Sequence, residues 1–266
     1  MQRASVRGIE LAYDSVGSGH AVLLLHGFPF NRSMWRSQVE ALSDRYRVIT
    51  PDLRGFGQTG AQSEQPATMR EMAEDVAALM DELSIERFTL GALSMGGYVA
   101  LALYRHFPLR VHNLILADTR PQADTDEARE NRERQALQVL SEGMESIVEG
   151  MLPKLLAAGT FSEGKGVVEE LRAMMLGTDP RGAAAALRGM MERPDQTHLL
   201  ARILAPTLII VGSEDQLTPP KDAELMHREI RGSRLEVIEG AGHVSNLERP
   251  DEFNRHLRDF LDSLQP

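Results

Sequence analysis

The period of the apolar positions changes repeatedly along the chain. Ile9–Val16 reads as a strand ending in the turn Gly17-Ser18-Gly19. Ala21–Leu25 is a short, wholly apolar run, the pattern of a parallel strand buried on both faces. Ser33–Leu42 has helical spacing, with Trp35, Val39 and Leu42 on one side. Arg47–Thr50 is a further buried strand that runs into Pro51-Asp52. In Met69–Leu83 the residues Met72, Val76, Leu79, Met80 and Leu83 fall at steps of three and four, which predicts an amphipathic helix. Phe88–Leu93 then reads as strand, Met95–Phe107 as helix and Val111–Ala117 as strand.

From Pro121 to Ala205 the strand signal stops. This stretch is rich in Ala, Met, Glu and Arg, all good helix formers. Breaks at Pro153, Gly159, Gly164, Gly177 to Pro180 and Pro194 divide it into about four helices. The strand–helix rhythm returns with Thr207–Val211, Lys221–Ile230, Arg234–Ile238 and Asp251–Leu264. Such alternation predicts an α/β fold with a parallel sheet covered on both faces. The expected organisation is a core of 1–120 and 206–266 with a helical cap at 121–205. Ligands of such sheets bind beyond the carboxyl ends of the strands, so the informative residues are those just after strands.

Composition narrows the function classes. The 266 residues are 42% apolar and 26% charged, ordinary for a globular protein and unlike a disordered one. Lys and Arg number 29 against 39 Asp and Glu, a net charge of −10, which argues against nucleic acid as the main partner. There is no cysteine, hence no disulfide framework, no Cys nucleophile and no thiolate metal site. Met1–Glu10 has no apolar stretch resembling a signal segment, and no run reaches the length of a membrane span. A cytoplasmic protein acting on a small molecule, without cofactor or metal, is expected.

The strongest chemical signal is Leu90-Gly91-Ala92-Leu93-Ser94-Met95-Gly96-Gly97. Ser94 sits where a strand meets a helix, with small residues two before and two after. A turn that sharp tolerates only small neighbours and lifts the hydroxyl above the sheet. This is the G-x-S-x-G nucleophile elbow with Ala92 in the first glycine position. A serine hydroxyl needs a base. His243, in Glu239-Gly240-Ala241-Gly242-His243, follows the last strand in a loop of small residues; the other seven histidines lack this placement. Asp215, after the penultimate strand, is the expected acid that orients the imidazole. Glu214 beside it and Asp118, after an earlier strand, are the competing carboxylates.

Acyl transfer also needs two aimed N–H groups for the oxyanion. Met95 and Phe28, the latter in Leu25-His26-Gly27-Phe28-Pro29, are the candidates, since Pro29 has no N–H. His26 is expected to brace this loop. Candidates for the pocket wall are His26, Pro29, Arg120, Met144, Met151 and Val244. The methionines of 121–205 read either as helix packing or as an adaptable apolar wall.

Taken together, His26-Gly27-Phe28-Pro29, Asp52-Leu53-Arg54-Gly55-Phe56-Gly57, Leu93-Ser94-Met95-Gly96-Gly97, the Gly212 to Asp215 turn and Gly242-His243 resemble the α/β-hydrolases of the bacterial esterase, enol-lactonase and cofactor-free perhydrolase group. The resemblance spans almost the whole chain. It implies a mostly parallel eight-stranded sheet with helices on both faces and a helical cap between the sixth and seventh strands. It also implies a Ser94–His243–Asp215 triad that cleaves a carboxylic ester through an acyl-enzyme. Alternatives on the same scaffold are an enol-lactonase, which needs a cation such as Arg120, Arg129, Arg132 or Arg134 for the substrate carboxylate, a perhydrolase, and a ligand-sensing signalling protein. A haloalkane dehalogenase is disfavoured, because that chemistry resembles this fold with Asp in place of Ser94. Asp52 to Gly57 is expected to shape a loop below the site, with Arg54 in an internal salt bridge.

Overall fold

The computed structural model describes residues 1–60 and 65–264. Eight strands form one sheet: β1 Gln2–Val6, β2 Ile9–Val16, β3 Ala21–Leu25, β4 Arg47–Pro51, β5 Phe88–Leu93, β6 Val111–Ala117, β7 Thr207–Gly212 and β8 Arg234–Ile238. Their order across the sheet is β1-β2-β4-β3-β5-β6-β7-β8. β2 pairs antiparallel with β1 and with β4, and every other neighbouring pair is parallel. Every side chain of β3, β5 and β7 is buried. Successive strand residues face opposite ways, so these strands are covered on both faces.

The covering helices of the core are α1 Arg36–Leu42, α2 Met69–Glu82 and α3 Met95–His106. Six more, α4 Asp126–Glu142, α5 Glu145–Leu155, α6 Ala158–Glu163, α7 Lys165–Leu176, α8 Pro180–Met191 and α9 Thr197–Leu200, lie between β6 and β7. The chain finishes with α10 Pro220–Glu229, α11 Ser245–Glu248 and α12 Pro250–Ser263. The stripe predicted in α2 is buried at Met72, Val76, Leu79 and Met80. Thr68 caps that helix in a capping box with Glu71, which satisfies backbone donors at both residues. Among the described residues no helix is long and apolar enough to cross a membrane.

Three sequence expectations need correction. No strand was read ahead of Ile9, yet β1 is there; three of its five residues are exposed, so its periodicity is weak, and a turn at Arg7-Gly8 with positive φ folds it onto β2. The segment between β6 and β7 holds six helices instead of four. Gly143, with φ +83°, breaks α4 from α5 where no break was placed. Pro153 and Gly159 do not break helices: Pro153 lies within the last turn of α5, which ends two residues later, and Gly159 is inside α6.

β3 has β4 on one side and β5 on the other, so the chain reverses its direction of travel across the sheet at this point. A crevice opens there beyond the strand ends. The loop after β3 carries His26 to Pro29, and the turn after β5 carries Ser94.

Candidate active site

Ser94 has φ +55° and ψ −117°, a strained backbone for a residue with a side chain. The turn is held by the end of β6 and the residues after it. Ser94 N–H donates to Ala117 O at 3.1 Å, and Thr119 Oγ1 donates to Ser94 O at 2.8 Å. Gly96 is obligatory for packing: a Cβ there would lie 2.5 Å from Leu25 O and 2.8 Å from His26 O. The turn therefore presses directly on the loop after β3.

Ser94 Oγ is 2.7 Å from His243 Nε2, and His243 Nδ1 is 3.0 and 2.9 Å from the two Asp215 oxygens. His243 and Asp215 are both buried. Burial pushes the Asp215 carboxyl up, but the imidazole and the donors of Thr218 outweigh it and hold Asp215 below its ordinary value. An ionised Asp215 requires the proton on Nδ1, which leaves Nε2 free to accept from the Ser94 hydroxyl. Burial pushes His243 down; the Asp215 charge beside it wins and raises it. Asp215 is itself fixed by Leu217 N–H at 2.8 Å, Thr218 N–H at 3.0 Å and Thr218 Oγ1 at 2.6 Å. Sequence reading missed Thr218 and Thr119. Their signal is position alone, three residues after the acid and at the end of the strand beside the elbow.

The competing carboxylates point elsewhere. Glu214 accepts from Ala158 N–H at 3.2 Å. Asp118 accepts from Gly212 N–H at 2.9 Å, lies 2.6 Å from Ser245 Oγ, and has no hydrogen bond to His243. His26 braces its loop: its Nε2 accepts from Leu53 N–H at 3.0 Å, so its Nδ1–H donates to Gly27 O at 2.9 Å. Arg54 forms a two-pronged pair with the buried Asp75, both bonds at 2.7 Å. Asp52 gathers the Arg32 side chain and the N–H groups of Arg32 and Gln58, tying the loops after β3 and β4 together.

A cavity of about 460 Å³ lies over Ser94 and His243. Phe28 lines its floor; Tyr98, Ile147, Met151, Leu187 and Met190 form apolar walls. Most of these come from the helices between β6 and β7. The polar lining includes Arg120, Arg132, Arg134 and Lys154 against one carboxylate, Asp124. Of the proposed wall residues the structure brings Arg120 and Met151 to this cavity. It does not bring the other four. His26 is buried under Leu53 and Gly27, Pro29 faces Thr178 through its carbonyl, and Met144 and Val244 are packed in the apolar core. Loop position and side-chain type placed these four near the site, but the cavity wall depends on which side of each loop faces inward.

The Met95 N–H is at the first position of α3, where no intrahelical carbonyl can reach it. No turn or loop carbonyl among the described residues takes either the Phe28 or the Met95 N–H. Among the described residues no cluster of His, Asp or Glu is placed to hold a metal ion.

Known proteins resemble this chain over most of its length. The family model for the alpha/beta hydrolase family matches residues 22–256. A 3-oxoadipate enol-lactonase of Acinetobacter baylyi is 30% identical over 245 residues, covering 92% of this chain and 90% of its own. The solved structure of a thermophilic esterase from Thermogutta terrifontis, with malate bound, has a TM-score of 0.97 at 44% identity and covers 100% of both chains. That of the enol-lactonase from Burkholderia xenovorans LB400 has a TM-score of 0.90 at 30% identity, covering 98% of this chain and 100% of the other. With the sheet order, the serine turn after β5 and a family match across most of its length, this chain belongs to the alpha/beta hydrolase family, in its esterase and enol-lactonase group.

Proposed function

We propose that the protein cleaves small to medium carboxylic esters through an acyl-enzyme on Ser94. The observation that carries this reading is the unbroken chain from Ser94 Oγ through both ring nitrogens of His243 to Asp215. His243 Nε2 takes the hydroxyl proton as Ser94 Oγ bonds to the acyl carbon. The carbonyl oxygen becomes an oxyanion, which the Phe28 and Met95 N–H groups stabilise. Collapse of this intermediate breaks the ester bond, and His243 returns its proton to the leaving alcohol. Water then repeats the sequence on the acyl-enzyme: His243 takes its proton, hydroxide adds to the acyl carbon, and Ser94 leaves with the proton from His243. The product is the carboxylic acid. In this reading the six helices α4 to α9 act as a cap that sets pocket length. The compartment is the cytoplasm and the partner a small molecule.

The test is turnover of a p-nitrophenyl ester series from acetate to dodecanoate, with Ser94→Ala as the control. Sustained hydrolysis by the wild type is expected, falling by several orders of magnitude in the variant. Undiminished turnover by pure Ser94→Ala protein refutes the assignment.

A second reading, a lactone or ester that carries a carboxylate away from the scissile bond, is favoured by the four basic side chains around the cavity.

A further inference from the structure

Asp118 is a fully buried carboxyl that the proposed mechanism does not use. It directly follows β6 in a left-handed backbone conformation, φ +44°, that a non-glycine residue holds only where its surroundings impose it. Its two oxygens reach two different segments. Oδ1 accepts from Gly212 N–H at 2.9 Å. Oδ2 lies 2.6 Å from Ser245 Oγ and 3.4 Å from Ser245 N. Gly212 ends β7, just before the turn that carries Asp215, and Ser245 follows His243 by two residues. The two segments also touch each other, for a Cβ on Gly212 would collide with the Gly242 and Ala241 carbonyls. One side chain thus holds the acid-bearing segment and the base-bearing segment against each other.

We propose that Asp118 is a positioning residue: as a neutral carboxylic acid it clamps the Asp215 and His243 segments in register for proton transfer. The inference rests on the proposed Ser94–His243–Asp215 reading. The protonated form fits the contacts. With its proton on Oδ2 the acid donates to Ser245 Oγ, and Oδ1 still accepts from Gly212 N–H. Both bonds are made without adding charge. No salt bridge or side-chain hydrogen bond from a cation reaches Asp118 among the described residues. The groups facing it are Asp215 from the turn after β7 and His243 and Ser245 from the loop after β8; Arg120, near Asp118 in the chain, acts electrostatically on His243. Burial first, and then the Asp215 charge, push the Asp118 carboxyl up to about 8; the His243 imidazole and the contacts with Ser245 and Gly212 only partly offset them. A second carboxylate beside Asp215 would hold the proton on His243 and raise the pH at which the imidazole becomes a base. Keeping Asp118 neutral avoids that.

Asp118→Asn, Asp118→Ala and the wild type separate the possibilities. The amide of Asp118→Asn can donate to Ser245 Oγ and accept from Gly212 N–H, as the neutral acid does. Asp118→Ala should lower kcat by about ten- to a hundred-fold with little change in KM, and Asp118→Asn should restore most of that loss. Melting temperature against pH tests the protonation state. An acid that holds its proton in the folded state to about pH 8, but loses it near pH 4 when unfolded, makes stability fall as pH rises between about 4 and 8. Asp118→Asn lacks that penalty. It should melt above the wild type at pH 8, by a margin that closes toward pH 4.

An Asp118→Asn protein that melts below the wild type at pH 8 and is as slow as Asp118→Ala overturns the proposal, since a carboxylate charge would then be required. Wild-type kcat in folded Asp118→Ala overturns it as well. Should Asp118→Ala not fold, kcat and melting of Asp118→Asn decide. Failure of the Ser94 reading would show as turnover in Ser94→Ala and would leave the melting comparison of Asp118→Asn untouched.

Discussion

At the scale of single residues, the environments of Asp215 and His243 are set by each other. Each is buried, and burial alone would neutralise both; their contact reverses the direction for both. His243 must be neutral to accept the Ser94 proton. Activity should therefore fall as pH drops through an imidazole value held above the ordinary 6.5. Asp215→Asn removes the charge that raises it, so the acid limb of the residual activity should move to lower pH. The tautomer is no longer enforced in that variant, and kcat should drop by about 10³- to 10⁴-fold. A pH–rate profile of kcat/KM for both proteins checks the two effects together. An unmoved limb would mean that another group titrates there.

At the scale of elements, the site depends on strand ends that approach too closely for side chains. Gly96 lets the start of α3 lie against the carbonyls that end β3, and Gly212 lets the end of β7 lie against the His243 loop. Gly212→Ala should cost about 1–3 kcal/mol in stability, because backbone and not a flexible side chain must yield. Chemical denaturation measures this, and a folded variant should also lose turnover, since Asp215 and His243 would be spread apart. Free accommodation of the methyl group, with wild-type stability and turnover, would contradict the packing. These close approaches were legible as a pattern of small residues around Ser94 and before His243. What each one touches was not, because the contacts join elements far apart in the chain.

At the scale of the whole molecule, charge is unevenly placed. The chain carries −10 overall, yet the cavity over Ser94 is lined by Arg120, Arg132, Arg134 and Lys154 with Asp124 as the one acidic lining residue. Asp124 is shared by Arg120, Arg132 and Arg193, at 3.4, 2.6 and 2.8 Å, so it neutralises only part of this cluster. The pull of Arg193 and Arg132 on Asp124 is strong enough to overcome its burial and bring its carboxyl down to about 2. Such a cavity favours an anionic substrate. Arg134→Gln with Lys154→Gln should raise KM for a hemisuccinate ester several-fold and leave KM for a neutral ester of equal length nearly unchanged. Equal effects on both esters would remove the support for a carboxylate-bearing substrate. The helices that complete this cavity are tied to the core beside the base: His243 N–H donates to Leu155 O at 2.8 Å, and the Glu248 carboxyl accepts from Ala157 N–H at 2.9 Å and Gly242 N–H at 2.7 Å.

The linear chain already determined the α/β rhythm, the helical segment between the sixth and seventh strands, and Ser94, Asp215 and His243 as the candidate residues. These are local matters: a buried strand must be apolar throughout, a sharp turn must have small neighbours, and side chains that act beyond a parallel sheet must follow its strands. The strand order, the six-helix division of 121–205 and the identity of the cavity wall were decided by tertiary structure. They depend on contacts between segments distant in sequence and on which way each loop turns. The role of Asp118 belongs with them. In the sequence it was one more acid after a strand; only the fold, by burying it between Gly212 and Ser245 and beside Asp215, distinguished its environment from that of its neighbour.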